Sequence, residues 1–373
     1  MSHDPTCDVY ERRAGEWMER RAPADIDRDE VLGSALATEA RAPVGAPLVD
    51  LGCGPGWHVP LLGPRAVAAD AAISMLALVP EHAPGIPRLA LDLRALPLRR
   101  ASLAGALASK SYVHVQRSGV PLALHDLHRS LVVGAPVSFV LFAGDAEHEE
   151  FEDDAFEGRR FSLWPEELLR AVIEGAGFIV DEWREAPTRR GAVEYVVRCT
   201  RARTLADTVG PGMRLLVIGL NPSLYAADVG VGFARPGNRF WPALLTTGLA
   251  ERDRDPVHAL TAHGIGMTDL VKRATARADE LTADEYRNGL ARVERIVEWL
   301  EPLAVCVVGL AGWRAAVDRR AQPGVQPSRL GGRPTYVMPS TSGANAHRNP
   351  DSLAAHLLAA MGLAGAAAVS PER

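Results

Sequence analysis

Val49-Asp50-Leu51-Gly52-Cys53-Gly54-Pro55-Gly56 closes a short apolar run, Leu48–Leu51, in a cluster of glycines, and the residues after it read as the start of a helix. Glycines at such a turn let the backbone bend sharply and approach a ligand without Cβ clashes. Working outward, Ala66–Ala69 is a second apolar run and Val137–Phe142 a third, the latter after a helical segment near Leu122–Val132. Short apolar runs separated by helices predict a parallel sheet with crossovers. Upstream, the charged stretch Tyr10–Arg21 reads as a helix. Downstream, the acidic run Asp145–Glu157 reads as a solvated loop, because unpaired like charges repel and stay in water. Phe161–Gly177 reads as a helix carrying Trp164, Leu168 and Val172, and Phe178–Val180 and Tyr195–Val197 as closing strands.

A second α/β cycle begins after a break near 201–212, where Gly210 and Pro211 end the first pattern and predict a linker. It reads as strand Leu215–Leu220, a helix from Trp241, a helix Ala283–Leu300, strand Ala304–Gly309, strand Pro334–Met338 and a terminal helix Asp351–Met361. Within Ala283–Leu300, residues Leu290, Val293, Ile296, Val297 and Leu300 recur at the three-to-four spacing of a helix packed on a sheet. The expected organisation is therefore a first domain over 1–200, a linker over 201–212, a second domain over 213–362 and an Ala-rich tail over 363–373 without an assigned role.

Composition bounds the function. The 373 residues are 47% hydrophobic and 23% charged, which is globular and excludes collagen, coiled coil and wholesale disorder. No run of 18 apolar residues and no export pattern appears, and Cys7, Cys53, Cys199 and Cys306 are scattered without metal-ligand spacing. The expectation is a cytoplasmic protein with no metal and no membrane partner. Net charge is −5, yet residues 1–200 hold 21 basic against 30 acidic side chains and residues 201–373 hold 20 against 16. Only the second half leans toward a polyanion.

Asp70 ends the apolar run after the glycine cluster, at the distance where a carboxylate accepts from ribose hydroxyls in nucleotide sites. With Asp50, Gly52, Gly54 and Gly56, it makes residues 1–200 resemble the class I S-adenosylmethionine-dependent methyltransferases. The resemblance implies a Rossmann-like sheet and S-adenosylmethionine as cofactor. It places Asp50 by the methionine amino end, Asp70 on the ribose, and Asp92, in Leu91-Asp92-Leu93, by the adenine amine. The chain departs from the family at Ser102–Ala108, where the usual aspartate is missing. Tyr112 and His114 stand where relatives present substrate-facing groups. His114 is a candidate base but reads first as a surface or packing residue. Neither the Asn-Pro-Pro-Tyr signature of amino-methylating DNA enzymes nor the Pro-Cys nucleophile of cytosine C5 enzymes occurs, so the methyl acceptor is unassigned.

Ile218-Gly219-Leu220-Asn221-Pro222-Ser223 ends a strand in a turn that alone is unremarked. Two distant segments add to it: Gly232-Phe233-Ala234-Arg235-Pro236-Gly237-Asn238-Arg239-Phe240-Trp241, and Met338-Pro339-Ser340-Thr341-Ser342-Gly343-Ala344-Asn345-Ala346-His347. With Gly266-Met267-Thr268-Asp269-Leu270-Val271-Lys272-Arg273, the set resembles the mismatch-specific uracil/thymine-DNA glycosylases of the uracil-DNA glycosylase superfamily, over about residues 212–362. The implied fold is a smaller α/β/α domain with a mostly parallel central sheet. By the match, Asn221 positions the attacking water. An amide cannot take up a full proton, so this is orientation rather than strong base catalysis. Phe233 falls against the base face, Asp269 where relatives have Asn or Lys, and Tyr225 where it narrows the room for a C5 methyl. Asn238 and Arg239 fix their loop rather than touch substrate.

Ser340, Ser342 and Gly343 suit close phosphate contact, while Ala344 occupies the position of a larger plug in relatives, leaving Asn345 or Arg348 to fill a vacated stack. No lysine stands in the matched base-binding and loop motifs to form a Schiff base, so strand cleavage is not expected. The expected whole is a fusion: a DNA glycosylase acting on uracil opposite guanine, with thymine and related adducts as further candidates, joined to a methyltransferase. The glycosylase half needs no cofactor. The alternative is a non-catalytic lesion-binding module tethered to an active methyltransferase.

Overall fold

The computed structural model describes residues 5–20, 45–152, 154–188, 191–343 and 350–369. The chain divides into two compact units, Met1–Ile173 with Phe178–Ala202, and Glu174–Gly177 with Arg203–Arg373.

In the first unit, β1 (Leu48–Leu51), β2 (Ala66–Asp70), β3 (Arg88–Ala90), β4 (Gly105–Ser109) and β5 (Pro136–Ala143) are joined in parallel in the order β3-β2-β1-β4-β5. Two short strands, β6 (Glu149–Glu150) and β7 (Arg160–Phe161), pair with each other. β8 (Leu163–Trp164) adds to β5, and the hairpin β9 (Phe178–Pro187) and β10 (Val193–Arg201) completes the sheet antiparallel, β10 lying against β5. β1 is buried along its whole length, as a parallel strand covered on both faces requires. The chain order reverses at β1, between β2 and β4. In an open parallel sheet, the carboxyl ends at such a reversal form the ligand crevice.

The second unit repeats the logic with β11 (Leu215–Gly219), β12 (Ile265–Asp269), β13 (Ala304–Val308), β14 (Gly324–Val325) and β15 (Thr335–Met338), ordered β12-β11-β13-β15-β14 and parallel except for β14. Here the reversal falls at β11. The helix Ala283–Leu300 starts with Thr282 accepting from the Glu285 N–H and Glu285 accepting back from Thr282, a reciprocal cap that satisfies two otherwise orphaned donors. It buries Val293, Ile296, Val297 and Leu300 as expected. Gly289 lets the helix touch the chain after β12, because a Cβ there would sit 1.9 Å from the Leu270 carbonyl oxygen.

Four expectations are corrected. Trp164 is not on a helix: it is fully buried in β8, and the helix begins at Glu166, after Pro165. Residues 203–212 are not a free linker, because Thr208 and Met267 exchange backbone bonds of 2.9 and 2.8 Å and Asp207 is buried. Nor does the tail start at 363. The helix Pro350–Val369 runs on, and Leu353, Leu357, Ala360 and Ala364 form a buried stripe on the core; each leucine there contributes roughly 1.5–3 kcal/mol of burial. The acidic run is also less solvated than expected, since Asp154 pairs with buried Arg159, and Asp145 and Glu147 pair with Arg117. No described helix is long and apolar enough to cross a membrane.

Candidate active sites

In the first unit the glycine cluster leaves the carboxyl end of β1 with Gly52, Gly54 and Gly56 at φ of 70°, 53° and 88°, left-handed positions that side chains resist. A Cβ on Gly52 would lie 2.3 Å from Ser111 Cβ, so the glycine admits the chain after β4 to the same crevice. Ser111 Oγ is buried there with no hydrogen-bond partner among the described residues. Asp50 is 1% exposed. Asp70 ties the turn down, Oδ2 accepting from Gly54 N at 2.8 Å and Oδ1 from Ala72 N at 2.9 Å. Burial pushes its carboxyl above the usual range, against the pull of those N–H groups. Trp17 stacks on Trp57 with centroids 4.9 Å apart, and its ring edge lies 3.9 Å from where a Gly54 Cβ would be.

Asp92 is committed to a side chain that the sequence reading passed over. Arg94 grips it at 2.6 and 3.0 Å. Partial burial alone would raise Asp92, but the guanidinium holds it below its ordinary value. His114 is built into a network rather than standing alone. Its Nδ1 lies 2.8 Å from the Arg160 carbonyl oxygen, which only accepts, so a neutral ring carries its proton there and accepts at Nε2 from Tyr10 at 2.9 Å. Tyr10 in turn accepts from Arg159 at 2.8 Å. Tyr112 is fully buried against Phe139 and is a core residue.

In the second unit, Asn221 follows the carboxyl end of β11. Its Nδ2 faces the Arg273 carbonyl at 2.9 Å, Thr275 Oγ1 at 2.8 Å and the Pro222 carbonyl at 3.2 Å. The Thr275 hydroxyl donates to the Arg277 carbonyl at 2.8 Å, so its oxygen is left to accept. Three acceptors therefore hold the nitrogen side of the amide and turn Oδ1 the other way, where it can orient a water. Thr275 was missed in the sequence because a lone threonine in a loop carries no periodic or motif signal.

Gly219, Asp269 and Phe233 converge beside it. A Cβ on Gly219 would lie 2.4 Å from Asp269 Oδ1 and 3.3 Å from Phe233 Cζ, so only glycine leaves both side chains in place. Phe233 sits at φ 58°, stacked on Phe240 with centroids 4.1 Å apart. Its loop is fixed by Asn238, whose Oδ1 accepts from Phe240 N at 2.9 Å, and by Arg239 N donating to Thr341 O at 3.0 Å.

No described residue donates a hydrogen bond to the Asp269 carboxyl, and burial pushes it up to about 6, with Lys272 and Arg292 pulling back and Asp207 adding to the rise. Beneath it, Asp207 accepts from Lys272 at 2.8 Å, Arg292 at 2.8 Å and Thr268 at 2.7 Å. Burial disfavours the Asp207 charge, but the two cations outweigh it and hold its carboxyl below the ordinary value. This ion group draws on three separate stretches of the chain, which is why no local pattern announced it.

Ser340 and Ser342 follow β15 at the same edge of the sheet. Ser342 and Gly343 are exposed, and a Cβ on Gly343 would meet the Gly237 carbonyl at 2.9 Å. The Ser340 loop and the Phe233 loop thus approach each other. Ala344, Asn345 and Arg348 lie outside the described residues. Ser223 caps the next helix by accepting from Ala226 N at 3.2 Å, and Tyr225 on that helix is 45% exposed.

Residues 206–361 match the family model of the Uracil DNA glycosylase superfamily. Over the first half, the chain is similar to several solved methyltransferase structures. One is a DhpI complex with S-adenosylhomocysteine, 19% identical, with a TM-score of 0.41, covering 54% of this chain and 99% of that one. A Burkholderia thailandensis 1,6-didemethyltoxoflavin-N1-methyltransferase is 17% identical, with a TM-score of 0.40, covering 53% and 88%. An S-adenosylmethionine dependent methyltransferase from Mesorhizobium loti is 21% identical, with a TM-score of 0.36, covering 45% and 96%. The family-model match falls within the second unit, from residue 206 onward.

Proposed function

We propose that the second unit hydrolyses the N-glycosidic bond of uracil in DNA, preferring uracil opposite guanine, without cutting the strand. The pinned Asn221 amide, with Oδ1 turned away from its three acceptors, carries this reading. Glycosidic cleavage passes through an oxocarbenium-like sugar, so the site must hold an extruded base, accommodate a departing base anion and place a water. Phe233 offers a face for stacking, worth on the order of 1–3 kcal/mol per base. Asp269 offers a carboxyl to the polar edge of the base. Asn221 Oδ1 accepts from the water. Ser340 and Ser342 would contact a phosphate. Tyr225 would bear on bases with a C5 methyl.

The first unit fits S-adenosylmethionine: the glycine cradle and the buried, unpartnered Ser111 Oγ face the crevice at the reversal of the sheet. Bound there, the cofactor would supply an electrophilic methyl group. Asp50 would take the ammonium end, while the lone pairs of Asp70 not used by Gly54 and Ala72 would take the ribose hydroxyls. Asp92 would reach an adenine amine only by sharing Arg94. The methyl acceptor is unassigned.

The test is release of free base from duplexes carrying uracil opposite guanine or adenine and from single-stranded DNA. Loosely held bases cost a few kcal/mol less to extrude, so the opposite-guanine and single-stranded substrates should be cleaved faster. Tight duplex binding with no base release would replace this reading with that of a lesion-binding module.

A further inference from the structure

Among the described residues, Glu251, His258 and His263 bring one ligand atom each to within 4.8 Å of one another. The group belongs to neither site above. Glu251 lies in the loop between the helices Phe240–Thr246 and Pro256–His263, and His258 and His263 are on the second of these. His263 is followed by Gly264 and the first residue of β12, whereas Asp269 is the last residue of that strand. Four strand steps of roughly 3.3 Å therefore separate this edge of the sheet from the base site.

The helix carrying the histidines is fixed at both ends: Asp255 accepts from His258 N at 2.9 Å, and Gly264 closes it at φ 67°. The imidazoles are held with centroids 5.3 Å apart at 59°, and His258 Nε2 lies 3.3 Å from Glu251 Oε1. Among the described residues, neither His263 Nε2 nor His258 Nδ1, both buried atoms, has a hydrogen-bond partner. A buried polar atom left unmatched is costly, and each such atom in a native fold calls for an explanation.

We propose that Glu251, His258 and His263 form a binding site for a divalent transition-metal ion of the zinc type. Two imidazole nitrogens and one carboxylate oxygen suit a borderline-soft ion, whereas Mg2+ and Ca2+ take mostly oxygen ligands. Three protein ligands leave the fourth tetrahedral position to water, which the exposure of Glu251 admits. The ion would pin the loop around Glu251 onto the second helix and so brace the β12 edge of the sheet.

The experiment uses the full chain stripped with a chelator and titrated calorimetrically with Zn2+, then with Co2+ followed by its visible absorption, and with Mg2+ as control. One Zn2+ per chain is expected, with tetrahedral Co2+ bands, no response to Mg2+, and a thermal midpoint that rises with Zn2+. Glu251→Gln and His263→Gln should each weaken Zn2+ binding more than about tenfold and remove the thermal shift. Glu251 is exposed, so its variant decides the matter even if the histidine variant fails to fold. Absence of stoichiometric Zn2+ binding, or unchanged affinity in Glu251→Gln, would overturn the proposal. Base release from uracil-containing DNA should be unchanged in Glu251→Gln, which separates this site from the glycosylase reading.

Discussion

Replacing Asp269 by Asn removes a partly buried negative charge while nearly preserving shape. Burial raises the folded-state carboxyl from an ordinary 3.8 to about 6. Between those values the native state binds more protons than the unfolded chain, so this group makes stability fall as pH rises. The loss is complete once pH exceeds the folded value. The gap, at about 1.4 kcal/mol per pH unit, amounts to ~3 kcal/mol. Asp269→Asn should therefore stabilise the second unit at pH 7.5 by up to ~3 kcal/mol, and the advantage should shrink by about half at pH 5, where wild type regains its proton. Asp207, whose shift has the opposite sign, is present in both proteins and largely cancels in the comparison. The assay is urea denaturation of both proteins at several pH values from 5 to 8, following the transition of the second unit. An Asn variant no more stable than wild type at pH 7.5, or a difference independent of pH, would show that Asp269 is not a charge held out of water.

The other expectations concern the two sites. Asn221→Ala should abolish base release while leaving duplex affinity within a few fold, because phosphate contacts dominate binding; single-turnover cleavage and a binding titration check this. Thr275→Val removes the acceptor that aims the Asn221 amide and should lower the cleavage rate by about tenfold, equivalent to ~1.4 kcal/mol, with little change in KM. Equal kcat would mean that the Arg273 carbonyl suffices. Asp70→Ala should weaken S-adenosylmethionine binding by about 2–4 kcal/mol through lost charge-assisted bonds, as read by calorimetry.

What could be read from the chain without coordinates was local and repeated. Apolar runs ending at Leu51, Asp70 and Leu220 marked strands, and glycines at 52, 54 and 56 marked a turn that in the structure takes left-handed φ at each of the three. Both halves therefore showed their α/β character, since strand period, helix period and turn chemistry are each written within a few residues. Where reading failed, a long-range partner had overridden the local pattern. Trp164 was drawn from a helical periodicity into a strand because β5 offered it an edge, and Ala364 left an apparent tail because the core accepted its methyl group.

The sites divide the same way. Asn221, Phe233 and Asp269 could be nominated from motifs, but the meeting of Asp269 with Gly219 depends on β11 and β12 lying side by side, and Phe233 reaches the same point from a separate loop. Tertiary structure alone decided which face of the Asn221 amide is turned outward, that Arg94 clasps Asp92, and that Asp207, Lys272 and Arg292 lie beneath Asp269. Each of these rests on hydrogen bonds or charges between residues that are unremarkable in sequence. Their energies follow from burial and from distances of a few ångströms, and both come into being only when the sheet is assembled.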